Sequence, residues 1–135
     1  MVSKTAMQAV RACVHLASLP DGCYEGAATI AKSVGARGNY LGKLLQLLSQ
    51  EGLLVSQKGL HGGFRLSRPA ASITLFDVID PVDHVARWEG CFLGRDECNA
   101  DPPCVVHGRW GVIRDEYLDF IRNTTIAEVA GVDPI

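Results

Sequence analysis

The chain alternates between three- and four-residue spacing and two-residue spacing of its apolar positions, and those two periods divide it into elements. Met7, Val10, Val14 and Ala17 recur at threes and fours, which predicts a helix over 4–18 ended by Pro20, Asp21 and Gly22. A second, short helix is predicted over 27–34, with Ile30 and Val34 inward. After the turn Gly35-Ala36-Arg37-Gly38, a third covers 39–51 and stops at Gly52. In that third helix Leu41, Leu44, Leu45 and Leu48 form one face, and Asn39, Lys43, Gln46 and Gln50 form the opposite one. The period then changes. Two short strands, 53–58 and 64–67, flank a glycine-rich hairpin turn at Gly59–Gly63, with Phe64 and Leu66 on the inner face and Arg65 and Ser67 on the outer. Thr74, with Asp77 three residues on, has the form of a capping box for a short helix ended by Pro81. The longest helix is predicted over 105–124, with an apolar stripe of Val106, Trp110, Ile113, Tyr117, Phe120, Ile121 and Thr124. Thr125 with Glu128 caps one last turn.

Helix, short turn, helix, then β-hairpin is the order of a winged helix-turn-helix. The fold class expected is therefore mainly α with a small β-hairpin wing and a long C-terminal helix. Residues 1–80 form the winged helix-turn-helix region. Residues 81–135 carry a cysteine-rich loop and the long helix, and the whole is one compact domain. The long stripe suits packing either on its own domain or against a second copy of the chain.

Charge sharpens this division. The net charge of −2 hides a separation: residues 1–75 carry eight Lys or Arg against three acids, and residues 76–135 carry five Arg against twelve acids. The basic half suits a polyanion and the acidic half does not. There is no apolar run of 18 residues, and the first residues lack the basic-then-apolar layout of a signal peptide. A cytoplasmic chain is expected, in which five cysteines are thiols or ligands before they are disulfides. Cys13 reads as a small buried hydrophobe within the first helix, His15 as a surface or half-buried residue, and Cys23 as a loop residue with no role assigned.

The polar stripe Asn39, Lys43, Gln46 and Gln50 has side chains fit for base edges, since Asn and Gln pair with adenine and Lys with guanine or phosphate. Arg37, in the turn before it, adds a cation. Tyr40 is placed either to hydrogen-bond a phosphate or to pack, and Thr29, at the start of the preceding helix, is placed to meet a phosphate. Lys58, His61, Gly62 and Arg65 belong to a hairpin thin enough to approach a groove.

The remaining chemistry lies in CFLGRDECNADPPCVVH. Cys91, Cys98, Cys104 and His107 are separated by six, five and two residues, within a polar, proline-containing stretch that cannot bury an apolar face. Zinc is usually gripped by closer cysteine pairs, and here only Cys104 and His107 are that close. A larger iron–sulfur cluster tolerates wide spacing and sometimes takes His in place of Cys. A thiol–disulfide switch needs two cysteines and leaves His107 unexplained. Cluster, zinc and thiol switch rank in that order. No base stands beside Cys13 or Cys23, and there is no phosphate loop or hydrolase elbow, so an enzyme is not expected.

Several segments resemble the winged-helix superfamily of bacterial iron–sulfur regulators of the IscR and NsrR type. They are AVRACVHLASL, TIAKSVGARGNYLGKLLQLLSQEGLL with its Tyr40-Leu41 pair, VSQKGLHGGFRLSRP with its Gly-x-x-Gly-Gly-aromatic turn, ITLFDVID, the three cysteines with the histidine after them, and TTIAEV. The resemblance spans about residues 3–130. It implies a homodimer joined through helix 105–124, a partly palindromic operator in double-stranded DNA, and a cluster whose loss or modification changes DNA affinity. Two departures matter. Gly42 stands where many members carry an acid, which bears on any carried-over sequence preference. Residues 1–20 hold no Asp or Glu to serve as a fourth ligand from the first helix, so His107 takes that place. A 2Fe–2S cluster on Cys91, Cys98, Cys104 and His107 is favoured, 4Fe–4S stands as a second form, and zinc is the alternative metal.

Overall fold

Helix α1, Lys4–Ala17, is the hub of the structure, a computed structural model that describes residues 2–86 and 106–131. The helix starts cleanly because Ser3 is its N-cap: Oγ accepts from the Ala6 N–H at 3.0 Å. It packs against α2 (Ala27–Val34), α3 (Gly38–Gln50), α4 (Leu75–Asp83) and α6 (Ile126–Ala130). Being surrounded, it turns its smallest side chains inward. Ala6, Ala9, Ala12 and Cys13 are fully buried and let neighbouring backbones approach, with Val10 and Leu16 filling the gaps between them. This corrects the expected stripe: Val10 is buried, but Val14 and Ala17 are half-buried and Met7 is exposed. Apolar periodicity selected the bulkier residues, whereas close helix packing selected the small ones.

Helices α2 and α3 form the helix-turn-helix as expected, with α3 starting one residue early. Leu41, Leu45 and Leu48 are fully buried and Leu44 nearly so, each contributing about 1.5–3 kcal/mol by burial. The expected strands shorten to β1, Leu54–Gln57, and β2, Gly63–Leu66, which pair antiparallel in the register Leu54 to Leu66 and Gln57 to Gly63. The hairpin is held from its other edge too. Glu25, just before α2, exchanges both backbone hydrogen bonds with Phe64, at 2.9 and 2.8 Å. Gly63 lies at φ +134°, and an added Cβ would stand 2.2 Å from the Glu25 carbonyl oxygen. Gly62 is as tightly placed: a Cβ there would meet the Gln57 carbonyl oxygen at 2.1 Å. The Gly-Gly pair is therefore required by close backbone approach on both sides of β2.

Helix α4 opens with the expected capping box, Thr74 Oγ1 accepting from the Asp77 N–H and Asp77 accepting from the Thr74 N–H. Pro81 does not end it; the helix continues to Asp83 and closes at His84, φ 52°. The missing proline N–H removes one backbone bond in the last turn, and the buried Leu75, Val78 and Ile79 hold the helix in register despite that loss. Helix α5 runs His107–Asn123, slightly shorter than the expected 105–124. Leu118 and Ile121 reach the common core, joined there by Ile126 of α6. Thr125 caps α6 through the Glu128 N–H, and Ile73 and Leu75 exchange backbone bonds with Ile126 and Thr124, stitching the last elements to the start of α4.

Candidate DNA interface and cysteine segment

The leucine face of α3 is buried, so its opposite face has to look outward. Asn39, Lys43, Gln46 and Gln50 are all exposed along it. Beside this face stands the hairpin. Between the two lies an open cleft of about 420 Å³, walled by Gln46, Ser49 and Gln50 on the helix side and by Ser56, Gln57 and Lys58 on the hairpin side. Helix and wing thus present one continuous polar surface. Lys58 and His61 are exposed on the hairpin, and Leu60 projects from its tip at 94% exposure. Thr29, in the first turn of α2, and Arg37, the N-cap residue of α3, are exposed as well. Neither helix start carries a side-chain cap bond, so the free N–H groups there are available to an anion.

Two of the expected DNA-facing residues have prior engagements. Arg65 does not stand freely on the outer face of β2. It is half-buried, with its guanidinium 5.0 Å from the centre of the Tyr24 ring, an arrangement that holds the cation over an aromatic face. The Tyr40 hydroxyl donates to Thr5 Oγ1 of α1, which commits its proton within the protein. Arg68 is likewise occupied, bonding the Ser72 carbonyl and the Asp77 carboxylate, each at 3.1 Å. Tyr24 and Thr5 carry no signal in the sequence, because their partners lie 41 and 35 residues away.

Behind this surface, His15 Nε2 meets Glu25 Oε2 at 2.6 Å, bracing α1 against the segment that pairs with the wing. Cys13 is fully buried, and burial pushes its thiol up to about 12 from an ordinary 9.0, so it is an inert core residue as the sequence suggests. Cys23 is exposed at the mouth of an open depression between the end of α1 and the segment after β2.

Cys91, Cys98 and Cys104 lie outside the described residues, as do Asp96, Glu97 and Asp101 between them. His107 is the first residue of α5. Among the described residues no three His, Cys, Asp or Glu side chains gather closely enough to hold a metal ion. Along α5 the expected stripe splits. Ile121 is buried and Val106, Trp110, Tyr117 and Thr124 are half-buried, while Ile113 and Phe120, two turns apart on one face, are exposed together with Val112. Among the described residues no helix is long and apolar enough to cross a membrane.

Comparison with known proteins agrees with this architecture. The solved structure of CymR (YrzC), the global cysteine regulator of B. subtilis, superposes with a TM-score of 0.82 at 22% identity, covering 99% of this chain and 98% of that one. T. potens IscR gives 0.76 at 23% identity, over 97% of this chain and 86% of that one. The oxidized form of Staphylococcus aureus CymR gives 0.77 at 23%, over 100% and 99%. At these identities the likeness is one of fold. In sequence, an Aquifex aeolicus (strain VF5) chain named as an HTH-type transcriptional regulator is 33% identical over 96 residues, 70% of this chain and 67% of that one. Residues 2–131 match the family described as Rrf2, iron-dependent transcriptional regulator. The chain belongs to the Rrf2 family and is a winged-helix, DNA-binding transcriptional regulator, not an enzyme.

Proposed function

We propose that this regulator binds a partly palindromic operator as a cytoplasmic homodimer and that an iron–sulfur cluster on Cys91, Cys98, Cys104 and His107 sets its affinity. The observation that carries the reading is the donor set itself: three thiols and an imidazole within seventeen residues, between a basic winged-helix region and the long C-terminal helix, in a family described as iron-dependent. Three thiolates with one neutral imidazole is a donor set proper to a 2Fe–2S cluster. When bound, the cluster supplies one-electron redox chemistry and a target for nitric oxide. Its cysteine ligands come between α4 and α5 in the chain, so holding it would bias how those two helices pack.

Asn39, Lys43 and Gln46 would meet base edges, with Arg37 and Thr29 at the helix starts nearest the phosphates and Tyr40, its hydroxyl held by Thr5, fixing the start of the reading helix. Lys58, His61 and Gly62 would set the wing on the backbone or in the minor groove, with Arg65 bracing it against Tyr24. The exposed Val112, Ile113 and Phe120 on α5 support a homodimer built on that helix. Two copies would then place their reading helices about 34 Å apart on one face of the duplex.

Anaerobically purified protein is expected to contain iron and acid-labile sulfide and to absorb in the visible, and replacing the three cysteines with Ala should abolish the absorption and change operator affinity. Stoichiometric colourless zinc, or no metal at all, would overturn the cluster. The second reading, a cluster-free thiol switch, draws support from the fold likeness to CymR, one structure of which is an oxidized form. It predicts a reversible change in operator affinity on oxidation by peroxide without any iron.

A further inference from the structure

Helix α1 has no acidic residue in its first turn, where a negative charge would favourably face the four free N–H groups and the positive end of the helix dipole. Asp83, from the end of α4, supplies it. Its carboxylate accepts from the Ser3 backbone N–H at 2.9 Å and from the Ser3 hydroxyl, while the same Ser3 Oγ accepts from Ala6 N. Two residues further on, Thr5 Oγ1 accepts the Tyr40 hydroxyl. Tyr40 lies in the first turn of α3, at the end of the reading face that includes Asn39 and Lys43. Tyr117 of α5 also feels this cluster: burial raises its phenol above the ordinary value, and the Asp83 charge raises it further. Asp83 is only eight residues before Cys91 in the chain.

The geometry points to a polar relay, Asp83 to Ser3 and Thr5 to Tyr40, through which the end of α4 fixes the angle at which α3 meets DNA. Ser3, Thr5 and Asp83 are its positioning residues. Its two middle joints, Ser3 and Thr5, are the N-cap and a first-turn residue of one helix, so a shift of α4 moves that turn as a unit. The relay gives the end of α4 a physical connection to the reading helix. It rests on α3 being the reading helix, and not on what the cysteine segment binds.

A double-mutant cycle measures the coupling along the relay. Operator affinity of the full chain is measured for Thr5→Val, Thr5→Ser, Tyr40→Phe, Asp83→Asn and the pair Tyr40→Phe/Asp83→Asn, with thermal unfolding recorded for each. Thr5→Val should weaken operator binding about 3- to 10-fold, the scale of one lost hydrogen bond. Thr5→Ser, which keeps the hydroxyl, should restore it. Asp83→Asn should weaken binding in the wild-type background and have little further effect once Tyr40 is Phe. Two outcomes overturn the relay. One is Tyr40→Phe weakening binding while Thr5→Val does not, which makes Tyr40 a direct phosphate contact. The other is Asp83→Asn and Tyr40→Phe multiplying independently to within about 2-fold, which makes each local. Gln46→Ala separates this from the underlying assignment: if Gln46→Ala leaves operator binding intact, the reading helix is wrong, and if it weakens binding while Thr5→Val does not, only the relay fails.

Discussion

Replacing Gly63 with Ala should dismantle the wing from its inner edge, and the size of the effect follows from three distances. The new Cβ would lie 2.2 Å from the Glu25 carbonyl oxygen, 2.3 Å from its carbon and 2.7 Å from the Gly26 nitrogen, all backbone atoms that cannot swing aside. Relief requires β2 to leave the Glu25 segment, breaking the two Glu25–Phe64 bonds. Each such bond contributes about 0.5–1.5 kcal/mol net. Within the hairpin, Gly63 still pairs with Gln57, so an L residue there is also held at φ +134°, at a cost of about 1–3 kcal/mol. Together these give a loss of about 2–6 kcal/mol, a large share of the ~5–15 kcal/mol by which a domain is stable. Gly59→Ala is the control, because Gly59 has φ +107° but nothing within 4 Å of its would-be Cβ. It should lose only the backbone part. Urea unfolding followed by circular dichroism measures both. If Gly63→Ala is no less stable than Gly59→Ala to within about 0.5 kcal/mol, the packing of the hairpin between β1 and Glu25 is not as described.

Leu45→Ala, at a fully buried position on α3, should cost about 2–5 kcal/mol in the same assay. Cys13 makes a pH prediction: its thiol is at about 12 when folded against 9.0 ordinarily, so between those values the unfolded chain releases a proton that the folded one keeps. Its contribution is fully present below pH 9 and lost as pH rises toward 12, with a slope of up to about 1.4 kcal/mol per pH unit, and a Cys13→Ala chain should lack that part of the slope. In operator binding, Gln46→Ala should cost about 1–3 kcal/mol and relax base preference at one position, whereas Lys58→Ala should weaken all sequences alike and reduce the salt dependence by about one ion.

Where an element's structure follows from its own neighbours in sequence, it was legible. The α3 leucines, its exposed polar face, the glycine hairpin and both Thr caps depend on contacts three or four residues apart, or on the next strand. What depended on distant chain was not. The small residues of α1 face inward because four helices converge there, which no local period encodes. Pro81 is carried inside α4 by core packing from outside the helix. Arg65 alternates correctly for an outward residue but is drawn onto Tyr24, and the Tyr40 hydroxyl finds Thr5 on another helix. The stripe of α5 has the period of one continuous face, yet only part of it serves this chain's core, with Ile113 and Phe120 left outside. The cysteine spacing stood out as a ligand set, and its arrangement falls outside the described residues.

The most direct test of the central claim joins cofactor and DNA in one sample: operator affinity of anaerobic protein, with iron and sulfide counted, before and after the cluster is removed, for the wild-type chain and for His107→Ala. Iron and sulfide are expected in equal amounts, with a visible spectrum altered or lost in His107→Ala and an operator affinity that changes when the cluster leaves. Iron-free protein with unaltered operator affinity, or a His107→Ala spectrum and potential identical to the wild type, would contradict that claim.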